Sequence, residues 1–114
     1  MQNVRAFLYE AKKLVSVGRK VFIKRKGYEL PDGTQINYLQ ALLDLDIGNI
    51  DEAWGYVLSL SPNHYHAGPI PDRDRPDSND MWVFKRKIND IDAYIKLKID
   101  NRGCVCISFH EDWG

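Results

Sequence analysis

Met81-Trp82-Val83-Phe84-Lys85-Arg86-Lys87-Ile88, Tyr94-Ile95-Lys96-Leu97-Lys98-Ile99 and Cys104-Val105-Cys106-Ile107-Ser108-Phe109-His110 are the runs whose reading decides the fold. Successive side chains of a strand point to opposite faces of a sheet, so each run sorts by parity. In the middle run Ala93, Ile95, Leu97 and Ile99 share one face, and Tyr94, Lys96 and Lys98 the other. In the last, Val105, Ile107 and Phe109 form the apolar set, opposite Cys104, Cys106, Ser108 and His110. The first sets Trp82, Phe84 and Ile88 against Val83, Lys85 and Lys87. Asn89-Asp90 and Asn101-Arg102-Gly103 are short polar breaks that suit hairpins, which predicts an antiparallel three-stranded meander. In that register Lys85, Lys87, Tyr94, Lys96, Lys98, Ser108 and His110 line one surface. Cations, a tyrosine and a histidine on one sheet face suggest RNA chemistry.

Upstream, the periodicity becomes helical. Val4, Phe7, Leu8, Ala11, Leu14 and Val15 recur at helical spacing, Asn3 can cap the start, and Gly18 can end the helix after Val17. Val21-Phe22-Ile23 between cations is a short strand-like piece, and the adjoining Lys24-Arg25-Lys26 either extends the basic surface or is simply solvated. Pro31-Asp32-Gly33 is a turn. Ile36, Leu39, Leu42 and Leu43 suggest a second helix ending near Leu45. Asn49 with Glu52 begins a third, whose stripe is Ile50, Ala53, Trp54, Val57 and Leu58. Four prolines, Gly68 and several aspartates between Pro62 and Asp80 predict a long irregular connection, and such loops are commonly functional. The fold class expected is α+β, with the meander and the short N-terminal strand packed against about three helices.

The 114 residues suit one domain spanning 1–114. There is no apolar run of about 18 residues and no signal-peptide-like apolar segment near the start, so a cytoplasmic protein without membrane contact is expected. Cys104 and Cys106 are two apart on a strand, poor geometry for a disulfide, and read as free thiols. The formal net charge is zero but segregated: residues 1–30 carry eight basic and two acidic side chains, and residues 31–60 carry five acidic and no basic ones. A locally basic surface can therefore exist without global basicity.

Cleaving RNA by internal transfer needs a base for the 2′-hydroxyl proton, an acid for the departing 5′-oxygen, and fixed positive charge on the phosphate. His66 and His110 can exchange protons near neutral pH, Tyr94 can donate, and Lys96 or Lys85 can hold phosphate. Tyr65, His64 and Trp82 could stack bases if the loop folds over the sheet, although Trp54 and Trp82 also read as core anchors. Tyr94 and Lys96 equally suit the solvent face of any sheet. His64 and His66 have the spacing of two metal ligands, but no further motif supplies a third and fourth, so no metal or other cofactor is expected. No Gly-rich phosphate loop or nucleophile elbow is present, which argues against nucleotide-dependent and Ser-nucleophile chemistry.

Taken together, several segments resemble the MqsR-type toxins of bacterial type II toxin–antitoxin pairs, within the wider RelE-like ribonuclease fold. The resemblance runs from Glu10-Ala11-Lys12-Lys13-Leu14-Val15 through Val57-Leu58-Ser59-Leu60, Tyr65-His66-Ala67-Gly68-Pro69 and Asp72-Arg73-Asp74-Arg75-Pro76. It is densest in Trp82-Val83-Phe84, Tyr94-Ile95-Lys96-Leu97-Lys98 and Cys106-Ile107-Ser108-Phe109-His110. It implies a metal-independent endoribonuclease acting on mRNA and silenced by a cognate antitoxin, expected to be a helix-turn-helix protein. Three functional positions of the family fall on His66, Tyr94 and His110. The best-studied branch has lysine at the first and last, and a glutamine position falls on Val83. The site implied is His66, Tyr94, His110 and Lys96 for catalysis, with Lys85, Lys87, Lys98, Tyr65 and His64 contacting RNA. Two other functions fit the same residues: a module that binds RNA or protein without cleaving, and a partner protein whose role is the complex itself.

Overall fold

Asparagine starts each of the three helices among the described residues. Asn3 accepts the Ala6 N–H at 2.9 Å to open α1 (Val4–Ser16), Asn37 accepts from Gln40 at 2.9 Å to open α2 (Tyr38–Asp44), and Asn49 accepts from Glu52 at 2.8 Å to open α3 (Ile50–Leu58). Each such cap satisfies an orphan donor of the first turn and contributes about 1 kcal/mol. Gly18, at φ +82°, closes α1 as expected, with its N–H on the Val15 carbonyl and that of Arg19 on Leu14. The computed structural model describes residues 3–75 and 79–114, so Pro76, named above in the Asp72–Pro76 run, lies outside them.

The strands are β1 (Lys20–Phe22), β2 (Tyr28–Glu29), β3 (Gln35–Ile36), β4 (Tyr65–Ile70), β5 (Met81–Ile88), β6 (Ile91–Asp100) and β7 (Gly103–Glu111). β2 and β3 form a separate hairpin around Pro31-Asp32-Gly33, and the other five form one sheet in the order β1-β7-β6-β5-β4. Only β1 runs parallel to its neighbour, pairing Val21 with Val105, and the remaining pairs are antiparallel. Val21-Phe22 is thus a strand, as its composition suggested, and the three expected meander strands are all present.

The irregular connection expected over 62–80 needs correction, because it contains a 3-10 turn (Pro62–His64) and all of β4. The meander therefore has four strands. Pro69 is tolerated because β4 is an edge, where a missing N–H interrupts no central ladder. At Gly68, φ is +126° and a Cβ would meet the Met81 carbonyl oxygen at 2.8 Å, so only glycine brings this edge so close to β5. Two register shifts, Tyr65/Ala67 and Ala67/Ile70, further blur the alternation that sequence reading relies on.

Helices cover one face of the sheet. Phe7 of α1 stacks on Trp82 with centroids 5.1 Å apart and lies 6.2 Å from Phe84, while Trp54 of α3 meets Phe22 edge-on at 6.0 Å. Both tryptophans are core anchors, in one continuous buried cluster with Leu42, Val57, Ile95, Leu97 and Phe109. Aromatic pairs of this kind add about 0.5–1.5 kcal/mol each beyond their area burial. Among the described residues no helix is long and apolar enough to cross a membrane.

One strand departs from simple parity. Lys96 pairs with Ser108 but Leu97 pairs with Cys106, leaving Ile107 as the extra residue of a β-bulge. Ahead of the bulge, Cys104 and Cys106 point into the helix-covered core, while Val105 and Ile107 line a groove on the other face. Beyond it, Phe109 enters the core and Ser108 and His110 face outward. The expected faces are thus correct for Ser108, Phe109 and His110 and reversed for Cys104, Val105, Cys106 and Ile107. A single inserted residue inverts parity on one side of itself only.

Candidate functional site

Pairing across the uncovered face aligns side chains in rows. Lys85, Tyr94 and His110 form one, and Ala67, Val83, Lys96 and Ser108 the next. His110 is central to the first. Its ring lies 5.0 Å from Tyr94 with planes 12° apart and 4.2 Å from Trp113 with planes 5° apart, and Tyr28 approaches at 4.8 Å. Nδ1 lies 2.7 Å from the Glu111 carbonyl oxygen. A carbonyl can only accept, so this bond fixes the proton on Nδ1 and leaves the lone pair of a neutral ring on Nε2. Burial holds the His110 pKa below the ordinary histidine value, and the Arg25 and Lys96 charges act in the same direction against the Glu111 carbonyl and Asp112. The side chain is therefore a neutral imidazole at neutral pH, with a basic nitrogen.

The second row supplies charge. Arg25 follows β1 and donates from Nη1 to Ser108 Oγ at 3.2 Å, with its guanidinium carbon 5.1 Å from the centre of the Tyr28 ring. Tyr28 is buried and its hydroxyl accepts the Phe109 N–H at 3.2 Å, which ties the β2–β3 hairpin to β7. Lys96 makes no hydrogen bond or ion pair among the described residues. Its pKa is lowered by desolvation first and by the Arg25 charge second, against a smaller opposing pull from Asp72 and Asp74. Tyr94 is shifted the other way by burial and keeps its phenolic proton. Lys85 is paired to Asp112 at 3.1 Å, which fastens the segment carrying Trp113 over the first row.

No match to this chain is found among protein-family models, curated proteins or solved structures.

The other residues singled out in the sequence distribute unevenly. His66 is exposed on β4, within electrostatic reach of Asp112 and hence on the His110 side. Lys87 is on the same face but at the hairpin end, 3.2 Å from Asp92. Lys98 is 2% exposed, with its ammonium 2.9 Å from Asp72 and 3.8 Å from Asp100. Its charge holds the 71–75 segment against the sheet rather than facing solvent. His64 and Tyr65 turn to the helix side. The His64 Nδ1 accepts the Ser61 N–H at 3.0 Å, with Lys12 and Arg86 nearby, and the Tyr65 ring lies 6.2 Å from Trp82. His64 and His66 thus diverge, and among the described residues no group of three or more potential ligands is placed to hold a metal ion. Val83 stands in register with Lys96, buried.

Arg25, Tyr28, Asp112 and Trp113 join the site without having been singled out as its members. Arg25 lies in a basic run that sequence alone left open. The others sit outside the alternating strands, and Tyr28 and Arg25 reach β7 across more than 80 residues of chain. Two concavities flank the Lys96–Ser108 row. One, of about 500 Å³, is bordered by Leu30, Pro31, Tyr94, His110 and Trp113. The other, of about 630 Å³, lies toward Lys98 and the 70–75 segment.

Proposed function

We propose that this chain is a ribonuclease toxin of a type II toxin–antitoxin pair, cleaving single-stranded mRNA by internal transfer without a metal ion. The observation that carries this reading is the placement of one neutral, tautomer-fixed histidine beside an unpaired cluster of cations on an open sheet face. Of the segments that resemble MqsR-type toxins, those on β4, β6 and β7 bring His66, Tyr94 and His110 to this face, which supports the reading.

In the proposed reaction His110 Nε2 takes the proton of the 2′-hydroxyl, and the 2′-oxygen attacks the adjacent phosphorus. The bond from phosphorus to the 5′-oxygen breaks, leaving a 2′,3′-cyclic phosphate. His66 in its protonated form gives the departing 5′-oxygen its proton. Lys96 and Arg25 hold the non-bridging oxygens, where negative charge accumulates in the transition state. Tyr94, still protonated, donates a hydrogen bond to the phosphate. Trp113 and Tyr94 offer flat surfaces on which a base can stack.

Incubation of purified protein with single-stranded RNA in EDTA tests the chemistry, with cyclic-phosphate ends on the products as the expected result. Arrest of growth on expression, relieved by co-expression of a small helix-turn-helix neighbour, tests the biological role. Intact RNA after prolonged incubation with antitoxin-free protein contradicts the reading.

A further inference from the structure

The larger concavity has a composition unlike that of the His110 row. Its apolar accessible lining is Ile107 and Met81, over the buried Val105. Its rim is basic, with Lys96 and Arg25 on the sheet side and Arg73 and Arg75 on the facing segment. Lys98 and Arg102 also border it, but their charges are met by Asp72 and Asp100. Among the described residues Arg73, Arg75 and Lys96 form no salt bridge, although Asp72 and Asp74 lie within electrostatic reach of Lys96.

An apolar floor under a cationic rim matches the two halves of a nucleotide, a flat base and a phosphate. A base can lie on such a floor only when it is unstacked, which excludes one held in a duplex. The rim is also fixed in advance. The buried Lys98–Asp72 pair, at 2.9 Å, holds the backbone that carries Arg73 and Arg75 against β6. A backbone held in place before binding loses little freedom when the side chains it carries meet a phosphate.

We infer that this groove is a subsite for a flanking nucleotide of single-stranded RNA, its base on Ile107 and Met81 and its phosphate between Arg73 and Arg75. The strand then runs along β6 from the Tyr94–Trp113 end to the Lys98 end, past the reacting phosphate. The inference rests on the ribonuclease reading for the identity of the strand, but its test does not need cleavage.

The probe is a fluorescent 2′-deoxy tetranucleotide, which lacks the nucleophile and cannot be cut. Its binding is measured against NaCl concentration for the wild type and for the double variant R73A/R75A, whose replaced side chains are exposed and make no hydrogen bonds among the described residues. The expected result is weaker binding by the variant, with the slope of log K against log salt reduced by about 0.7 per cation removed. A stable DNA hairpin whose stem contains the same four-nucleotide sequence should compete poorly as a duplex. Wild-type affinity and slope in the variant, no measurable binding by the wild type, or equal competition by the duplex would each overturn the subsite. Oligonucleotide binding that depends on Arg73 and Arg75 in a protein that leaves RNA intact would retain the subsite and remove the ribonuclease reading. RNA cleavage with unaltered oligonucleotide binding by the variant would do the reverse.

Discussion

The His110 imidazole and the Trp113 indole lie 4.2 Å apart with their planes 5° from parallel, and Asp112 between them in sequence is held by Lys85 at 3.1 Å. This stack removes water from the ring and is one source of the burial that lowers the His110 pKa. Replacing Trp113 with alanine uncovers the imidazole, so its pKa should rise toward the free value of about 6.5. NMR titration of the His110 ring protons in both proteins reads the shift directly. An unchanged midpoint would mean that the indole contributes nothing to the environment of the histidine.

The same depression has a consequence for stability, and its sign is fixed. A folded pKa below the unfolded value means that the unfolded chain binds the His110 proton more readily. Stability should therefore fall as pH drops from about 6.5 toward the folded value, and should not depend on His110 above that window. His64, also lowered by burial, adds a slope of the same sign. Urea midpoints measured across pH 4–8, taken as a rough working interval around these values, should flatten in H110Q. In the proposed reaction the acid limb of the pH–rate profile should likewise lie below about 6.5.

The bulge at Ile107 makes a prediction about thiols. Cys104 and Cys106 face the core and are fully buried, and burial pushes the Cys104 thiol up to about 12 and that of Cys106 well above its ordinary range. Neither should react with an alkylating reagent at neutral pH in the native protein, and both should react in urea. Mass spectrometry after brief labelling counts the adducts. Rapid native labelling would place them on the open face, as uninterrupted alternation requires.

That bulge also marks where sequence reading stopped working. Parity placed Tyr94, Lys96, Lys98 and His110 on one face because β6 is regular and His110 lies beyond the insertion. It could not place Cys104 or Ile107, since nothing in Cys104-Val105-Cys106-Ile107 announces an extra residue. β4 was hidden for a related reason: glycine, proline and two register shifts erase period-two patterning at an edge. α1 and α3 were legible from their stripes and asparagine caps, whereas α2 was found by its leucines but not its face: Ile36 belongs to β3, Leu39 and Leu43 are exposed, and Ala41 and Leu42 are the buried pair. Arg25, Tyr28 and Trp113 were not, because their roles arise from packing between distant segments. Lys98 shows the converse limit: a cation of the expected parity was read as a contact surface, yet its charge is spent on Asp72 and Asp100.

Lys98 accordingly should matter more for stability than for nucleic-acid contact. Its replacement by methionine leaves Asp72 and Asp100 without that ammonium in a largely desolvated setting, a change expected to cost about 3 kcal/mol. The hydrogen bond from Lys98 keeps the Asp72 carboxyl below its ordinary range, and stabilisation from that bond is present above the unfolded carboxylate pKa and lost as pH falls toward the folded value. K98M should therefore lower the urea midpoint at neutral pH and lose part of the acid-induced destabilisation seen in the wild type. Equal midpoints for the two proteins at pH 7 would show the pair to be dispensable.

The central claim is that His110 removes a proton in RNA cleavage, and the most direct measurement is the single-turnover rate of H110Q on single-stranded RNA in EDTA. Glutamine preserves bulk and hydrogen bonding but cannot serve as a base at neutral pH. With a wild-type circular dichroism spectrum and wild-type binding of the 2′-deoxy tetranucleotide, the variant should cleave at least about 100-fold more slowly. Cleavage at the wild-type rate by a correctly folded H110Q, or no cleavage by the wild type itself, would contradict the claim.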